Sequence, residues 1–263
     1  MQTKATEIYD NIVLRLRQEF LDEAMERADN IEMTCSNTHF GKIGHADALI
    51  IIRRQAHNLK GMGSSFQFPI IALIAHRLED YIADIREITA RHAKDIEGFV
   101  DVLRELLGKG IEGLTPNEEE QQAILRRLPA KWAYEVEGVA QSNREFLLAT
   151  PSKVAARLVE RQLQGYGHRV VAASSAMEAF ELGIRMKPDM VITSAIMEDI
   201  TGVDLARAFH VMKATSHIPF VLLTSFPKNH DALKDLPETS SVVRIGSSFS
   251  DDLQAAMTKA SVS

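Results

Sequence analysis

Residues 54–63 read Arg-Gln-Ala-His-Asn-Leu-Lys-Gly-Met-Gly. The stretch lies inside a segment of helical apolar periodicity, so it predicts a helix. Counted from His57, Lys60 is three positions on, Gly61 four and Ser64 seven. At about 3.6 residues per turn these four share one face. That face presents an imidazole, a cation beside it, and then almost no side-chain bulk. Such a surface suits a nucleophilic or phosphate-carrying histidine that a second protein must approach closely. Gly61 and Gly63 each weaken a helix interior by about 1 kcal/mol relative to Ala, so the pair calls for a reason. Close approach of a partner is one. A helix end before Pro69 is the other, and it accounts for Gly63 more readily than for Gly61.

Outward from this stretch the first 113 residues read as helix. Ile8, Ile12, Leu16, Phe20 and Ala24 recur every fourth position and predict one long amphipathic helix to about residue 34. Residues 36–46 carry two glycines and cap-type side chains, which predicts a loop. A second helix is expected from Ala46 to Ser64. Pro69 opens a third, striped by Ile70, Ile71, Ile74, Leu78, Tyr81, Ile82 and Ile85. A fourth carries Ile96, Phe99, Val100, Leu103, Leu106 and Leu107, and ends at Gly108 or Gly110. Four helices with single apolar stripes and short loops imply an antiparallel bundle over residues 1–113.

Residues 114–142 read as a linker with one short helix. Thr115-Pro116-Asn117-Glu118-Glu119-Glu120 starts it, with acidic side chains on the positive end of the helix dipole, and it should stop before Pro129. Trp132 and Tyr134 follow without a clear place; packing between the domains is one option. From residue 143 to 263 strands and helices alternate. The strands are Phe146–Ala149, His168–Ala172, Met190–Thr193, Pro219–Thr224 and Ser241–Ile245, and the helices begin at Val154, Ala176, Val203 and Asp251. Near-continuous apolar strands between helices require a parallel sheet covered on both faces.

Composition limits the function. The chain has 263 residues, enough for two modest domains, with 45% hydrophobic and 25% charged residues. A net charge of −6 argues against a nucleic-acid binder, which would show a basic stripe. The longest apolar run, Ala48–Ile52, is closed by Asp47 and Arg53, so no membrane span is expected. The first residues lack the apolar core of a signal peptide, and the single cysteine, Cys35, rules out an internal disulfide framework; together these point to the cytoplasm. Cys35 itself reads as a small side chain near a helix end.

Ala56-His57-Asn58-Leu59-Lys60-Gly61, then Phe66-Gln67-Phe68 and His76-Arg77-Leu78-Glu79, resemble a histidine phosphotransfer (HPt) domain, most nearly that of chemotaxis-type kinases. The resemblance covers roughly residues 1–112. It implies that His57 accepts a phosphoryl group, that Lys60, His76 and Glu79 form one network with it, and that Gly61 lets a partner approach. Gln67 stands where the family usually has Gly. The chemistry agrees with that implication. An exposed imidazole is partly neutral and nucleophilic near pH 7. A carboxylate such as Glu79 can fix its tautomer, and Lys60 can sit beside phosphoryl oxygens as a point charge. His76 reads as a supporting residue and the remaining histidines as surface. No glycine-rich phosphate loop is present, so the phosphoryl group must come from another protein.

The second half resembles a response-regulator receiver domain, through Gln164–Val170, Lys187–Thr193, Thr201–Leu205 and Ile218–Thr224. The resemblance implies a flavodoxin-like (βα)5 fold with strand order 2-1-3-4-5. Active members need an acidic pair after the first strand, an Asp ending the third and a Lys ending the fifth. Here those positions are Thr150-Pro151, Ser194 and Ser247, and only Thr224, the switch hydroxyl, agrees. A Ser without metal or base is a poor phosphoryl acceptor, and Glu198 and Asp199 are offset from the acceptor position. The expectation is a pseudoreceiver that binds no metal, with Mg²⁺ belonging to the partner receiver.

The whole is expected to be a multidomain protein: an all-α four-helix bundle joined to an α/β flavodoxin-like receiver fold. Its partners would be a histidine kinase, or the receiver domain of a hybrid kinase, as phosphoryl donor, and a response regulator as recipient. Nucleic acid and membrane are not expected, and a homodimer stays open. Two other readings remain. The chain could be a non-catalytic adaptor or antagonist with His57 incidental. The blank acidic site could also have become a small-ligand pocket lined by Thr150, Ser194, Thr224 and Ser247.

Overall fold

The computed structural model describes residues 2–130, 144–227 and 229–260. They divide into two compact units, parted between Pro129 and Ala130. Trp132 and Tyr134 lie outside the described residues.

The first unit is built on α1 (Gln2–His39), α2 (His45–Ser65), α3 (Pro69–Ile82) and α4 (Ala90–Gly108). Of the stripe expected in α1, Phe20 and Ala24 are fully buried and the buried face runs on through Ala28 and Ile31, whereas Ile12 and Leu16 are exposed, so only the later part of the helix packs on the bundle through that stripe. That helix runs past residue 34 to His39 and takes up the first four residues of the expected 36–46 loop. Thr34 and Thr38 look like cap residues in sequence. In place, their hydroxyls donate back to Asn30 O (2.6 Å) and Thr34 O (2.8 Å), and both are buried with Cys35 on the packed face. Burial, with Glu97 and Glu32 nearby, pushes the Cys35 thiol up to about 12, so it is inert. Helix α4 starts on a Thr89 capping box with His92.

Helix α5 (Glu118–Arg127) is capped by Asn117, not Thr115: Glu120 N–H donates to Asn117 Oδ1 at 2.9 Å, and Glu120 Oε2 accepts from Asn117 N–H at 3.0 Å. Leu125 and Leu128 are buried, Arg77 Nη1 donates to Leu125 O at 2.9 Å, and Pro129 closes on Gly98, where a Cβ would lie 3.0 Å from the ring. The early part of the stretch read as linker therefore packs on the bundle, because its apolar face and an arginine clamp tie it there.

The second unit holds five parallel strands, β1 (Glu145–Ala149), β2 (Arg169–Ala173), β3 (Met190–Ser194), β4 (Phe220–Thr224) and β5 (Ser241–Arg244), in the order β2-β1-β3-β4-β5. The register pairs Phe146 with Val170 and Met190, and Leu222 with Thr193 and Val242. On one face α6 (Lys153–Gly165) and α9 (Phe249–Lys259) cover Phe146, Leu148, Ile192, Val221, Leu223 and Val243. On the other lie α7 (Ala176–Met186) and α8 (Gly202–Val211). There a Cβ on Gly202 would meet Leu222 at 2.8 Å, and one on Gly183 would meet the Phe209 ring at 2.3 Å. This is the doubly wound flavodoxin-like arrangement. The β4–β5 crossover differs from a (βα)5 repeat: its described residues hold only a 3₁₀ turn, Asp231–Leu233. Pro227 and Pro237 bracket a stretch with too few apolar residues to form a covering face.

One histidine departs from the surface reading. His168, just before β2, is buried with its ring 4.8 Å from that of Phe146. Burial, and next the Arg144 guanidinium, hold it below the ordinary histidine range, with Asp189 opposing.

Candidate functional site

Helices α2 and α3 form a tight antiparallel hairpin, and its turn sets the site. Phe68 N–H donates to Gly63 O (2.8 Å) and Gln67 N–H to Ser64 O (3.3 Å). This paired closure leaves Gln67 in the left-handed region at φ 61°. Three residues into α2 from its end, Gly63 is buried against α3: a Cβ there would lie 2.7 Å from Ala72 N and 3.3 Å from Ala72 Cα. Gly63 thus serves helix–helix contact, a better account than the helix end. Moving down α2 and up α3 from this contact brings Lys60 opposite His76, and His57 opposite Glu79.

The four side chains connect. Glu79 Oε1 is 3.1 Å from His57 Nδ1, and Glu79 Oε2 is 3.1 Å from Lys60 Nζ. Lys60 Nζ is also 3.3 Å from His76 Nδ1. A carboxylate only accepts and an ammonium only donates. In its neutral form His57 therefore carries its proton on Nδ1 and keeps the lone pair on Nε2; His76, largely buried, accepts on Nδ1. The His57 side chain is 75% exposed while that of Glu79 is 23% exposed, so a half-sheltered carboxylate orients a ring that stands in solvent. The sequence reading puts Lys60 beside phosphoryl oxygens; here its ammonium is engaged with Glu79 and His76. A Cβ on Gly61 would meet nothing within 4 Å, and Ser64 is exposed. The space over Gly61 beside the ring is open.

In the second unit the positions read as a degenerate acidic site lie at the carboxyl ends of the strands. Ser194 Oγ donates to Thr150 Oγ1 at 2.7 Å, so two of them are joined. Thr150 Oγ1 also accepts from Ser152 N–H, and Thr224 Oγ1 accepts from Phe226 N–H at 2.9 Å, turned toward its own loop. Pro151 and Ser247 are exposed. The nearby Asp199 accepts from Met177 N–H (2.8 Å) and Ala176 N–H (3.2 Å), capping α7, and the Met177 bond above all holds its carboxyl below the usual range. Among the described residues, no group of three or more His, Cys, Asp or Glu could hold a metal ion. None of the described helices is long and apolar enough to cross a membrane.

Residues 15–113 match the family model of the Hpt domain. This part of the chain is an Hpt domain. It implies phosphotransfer in two-component signalling, with histidine kinases and response regulators as the class of partner. Among solved structures, the second unit is similar to the receiver domain of a sensor histidine kinase from Pseudomonas aeruginosa, at 18% identity and TM-score 0.40, over 46% of this chain and 99% of that one. A response regulator from Chloroflexus aurantiacus (20%, TM-score 0.40, 45% and 98%) and a chemotaxis response regulator of Vibrio cholerae (19%, TM-score 0.38, 44% and 98%) are similar in the same way. No curated protein matches the chain.

Proposed function

We propose that His57 of the Hpt domain takes a phosphoryl group from a phospho-aspartate on a partner receiver and returns it to the receiver of a response regulator. The observation that carries this reading is the 3.1 Å contact between His57 Nδ1 and Glu79, which leaves Nε2 as the nucleophile on an exposed ring. In the step, an Nε2–P bond forms as the acyl O–P bond breaks and the partner's Asp leaves as carboxylate. The positive charge that develops on the ring is shared with Glu79 through Nδ1–H. Mg²⁺ would be held by the partner's acidic residues, not by this chain. Gly61 supplies the clearance for that partner, and Lys60 and His76 hold Glu79 in place.

The second unit is, in the same proposal, an interaction module that does not itself turn over phosphate. Support comes from the Thr150–Ser194 hydrogen bond, which joins two neutral hydroxyls where one carboxylate of the acidic pair and the acceptor aspartate would have to stand. Chain incubated with phosphorylated donor receivers should acquire an acid-labile label that is absent from His57→Ala. Equal labelling of the two proteins, or none on the wild type, refutes the reading and favours an adaptor role.

A further inference from the structure

The amino end of the second unit's sheet, opposite the Thr150–Ser194 pair, holds a cavity of about 280 Å³. Its walls come from the end of α8, the 212–219 turn, the start of β4, the end of the helix-less β4–β5 crossover and the end of α9. Two buried aromatic rings back the cavity. Phe209 and Phe220 meet at 5.5 Å between centroids, and Phe209 is fixed from behind by Gly183 and by Phe180 at 6.0 Å.

The rim is of a different character. Lys259, His210 and His217 bring basic nitrogens, and Ser216, Thr239 and Ser240 bring hydroxyls. None of the described lining residues is an Asp or Glu, in a chain whose net charge is −6. A rim of donors without a carboxylate favours an anion and disfavours a cation. The wall is also held in shape. The buried Thr215 hydroxyl donates to Phe209 O at 2.9 Å, Ser216 N–H to Met212 O at 2.8 Å, and Ile218 N–H to Thr215 O at 2.9 Å. Thr239 Oγ1 lies 3.3 Å from His210 Nδ1 and links the crossover to α8. Such a preformed wall loses little freedom when a ligand enters.

We propose that this cavity binds a small organic phosphate, the phosphate on the Lys259–His217 rim and the ring or sugar against the apolar wall at Pro219 and Ala260. Phosphate oxygens only accept, and every rim group can donate. The volume falls at the small end of ligand pockets, which limits the ligand to about the size of a nucleoside monophosphate. The inference stands on the second unit alone and does not depend on transfer at His57.

Titration calorimetry on the full chain tests it with adenosine monophosphate, ribose 5-phosphate, inorganic phosphate and adenosine. Saturable binding of either organic phosphate is expected, tighter than that of inorganic phosphate or adenosine. Lys259→Gln and His217→Gln, both at exposed side chains, should each weaken it about tenfold. Ser240→Trp, which fills the mouth, should remove it. No binding of either organic phosphate up to about 10 mM, or binding indifferent to all three substitutions, overturns the proposal.

Discussion

Replacing Gln67 by Gly should stabilise the helical bundle. Gln67 is exposed and sits at φ 61° between α2 and α3, where the hydrogen bonds to Gly63 O and Ser64 O require a left-handed residue. A side chain in that conformation costs roughly 1–2 kcal/mol. Glycine removes the cost but has more freedom to lose on folding, about 0.4–1 kcal/mol. The net gain is about 0.7 kcal/mol, or roughly threefold in an equilibrium constant. Amide hydrogen exchange on α2 and α3 reads the bundle without involving the second unit, and the slowest amides of these helices should exchange about threefold more slowly in Gln67→Gly. Gln67→Ala keeps the backbone cost and changes only the side chain, so it should give no gain. Equal protection in the Ala and Gly variants, or none in Gly, would show that the turn stores no strain.

Three further outcomes follow from the same geometry. Gly63→Ala places a methyl 2.7 Å from the Ala72 backbone and should cost about 1–3 kcal/mol in urea unfolding. Gly61→Ala, with open space around it, should gain up to about 1 kcal/mol, while a bulky Gly61→Leu keeps the fold and slows phosphoryl transfer to a receiver. Glu79→Gln should slow transfer at least about tenfold with partner affinity little changed, measured by rapid-quench labelling and by titration. The His168 shift sets a pH dependence. Its folded-state value is lowered, so its contribution is present above the ordinary histidine value and fades as pH falls below it, when the unfolded chain takes up the proton first. The second unit should therefore lose stability as the pH falls below the ordinary histidine value of about 6.5, more in the wild type than in His168→Phe.

The sequence is most informative where one periodicity governs. The apolar stripes of α3 and α4 and the strand cores can be read from spacing, since burial on one face is all they require; in α1 the four-residue spacing of Ile12 and Leu16 continues on exposed helix. The end of α1 cannot, because Thr34 and Thr38 favour caps by propensity, and only the packed face around Cys35 shows that they stay helical. The role of Gly63 is hidden for a similar reason: its contact is with Ala72, set by the register of two helices that no local pattern records. His57, Lys60 and Gly61 are visible on one helix. Glu79 and His76 join them through the family resemblance, and the hairpin register then gives the pairing its distances. The burial of His168 follows from its place at the head of the 168–172 stretch in a sheet covered on both faces, a signal that the polarity of an imidazole hides. The (βα)5 repeat is implied by the receiver resemblance alone; the residue reading places no helix between the fourth and fifth strands, and the described residues of that crossover hold only the Asp231–Leu233 turn.

The two units deal with charge in opposite ways. Around His57, each formal charge has a neighbour of the other sign or a donor: Glu79 lies between the imidazole Nδ1–H and the Lys60 ammonium, and Lys60 reaches on to His76. A ring that gains positive charge on phosphorylation meets a carboxylate already in place, with little rearrangement to make. At the carboxyl end of the second unit's sheet, Ser194 and Thr150 form a neutral pair that needs no cation, and the adjacent Asp199 is spent on the start of α7. Introducing one carboxylate there would leave a single anionic ligand without the second carboxylate or the lysine that phosphoryl transfer to an aspartate requires. If His57 carries the phosphoryl group as proposed, the division of labour is physical: the helical unit would stabilise the charge that develops on the histidine, and the charges that activate an aspartyl phosphate would arrive with the receiver that docks over Gly61.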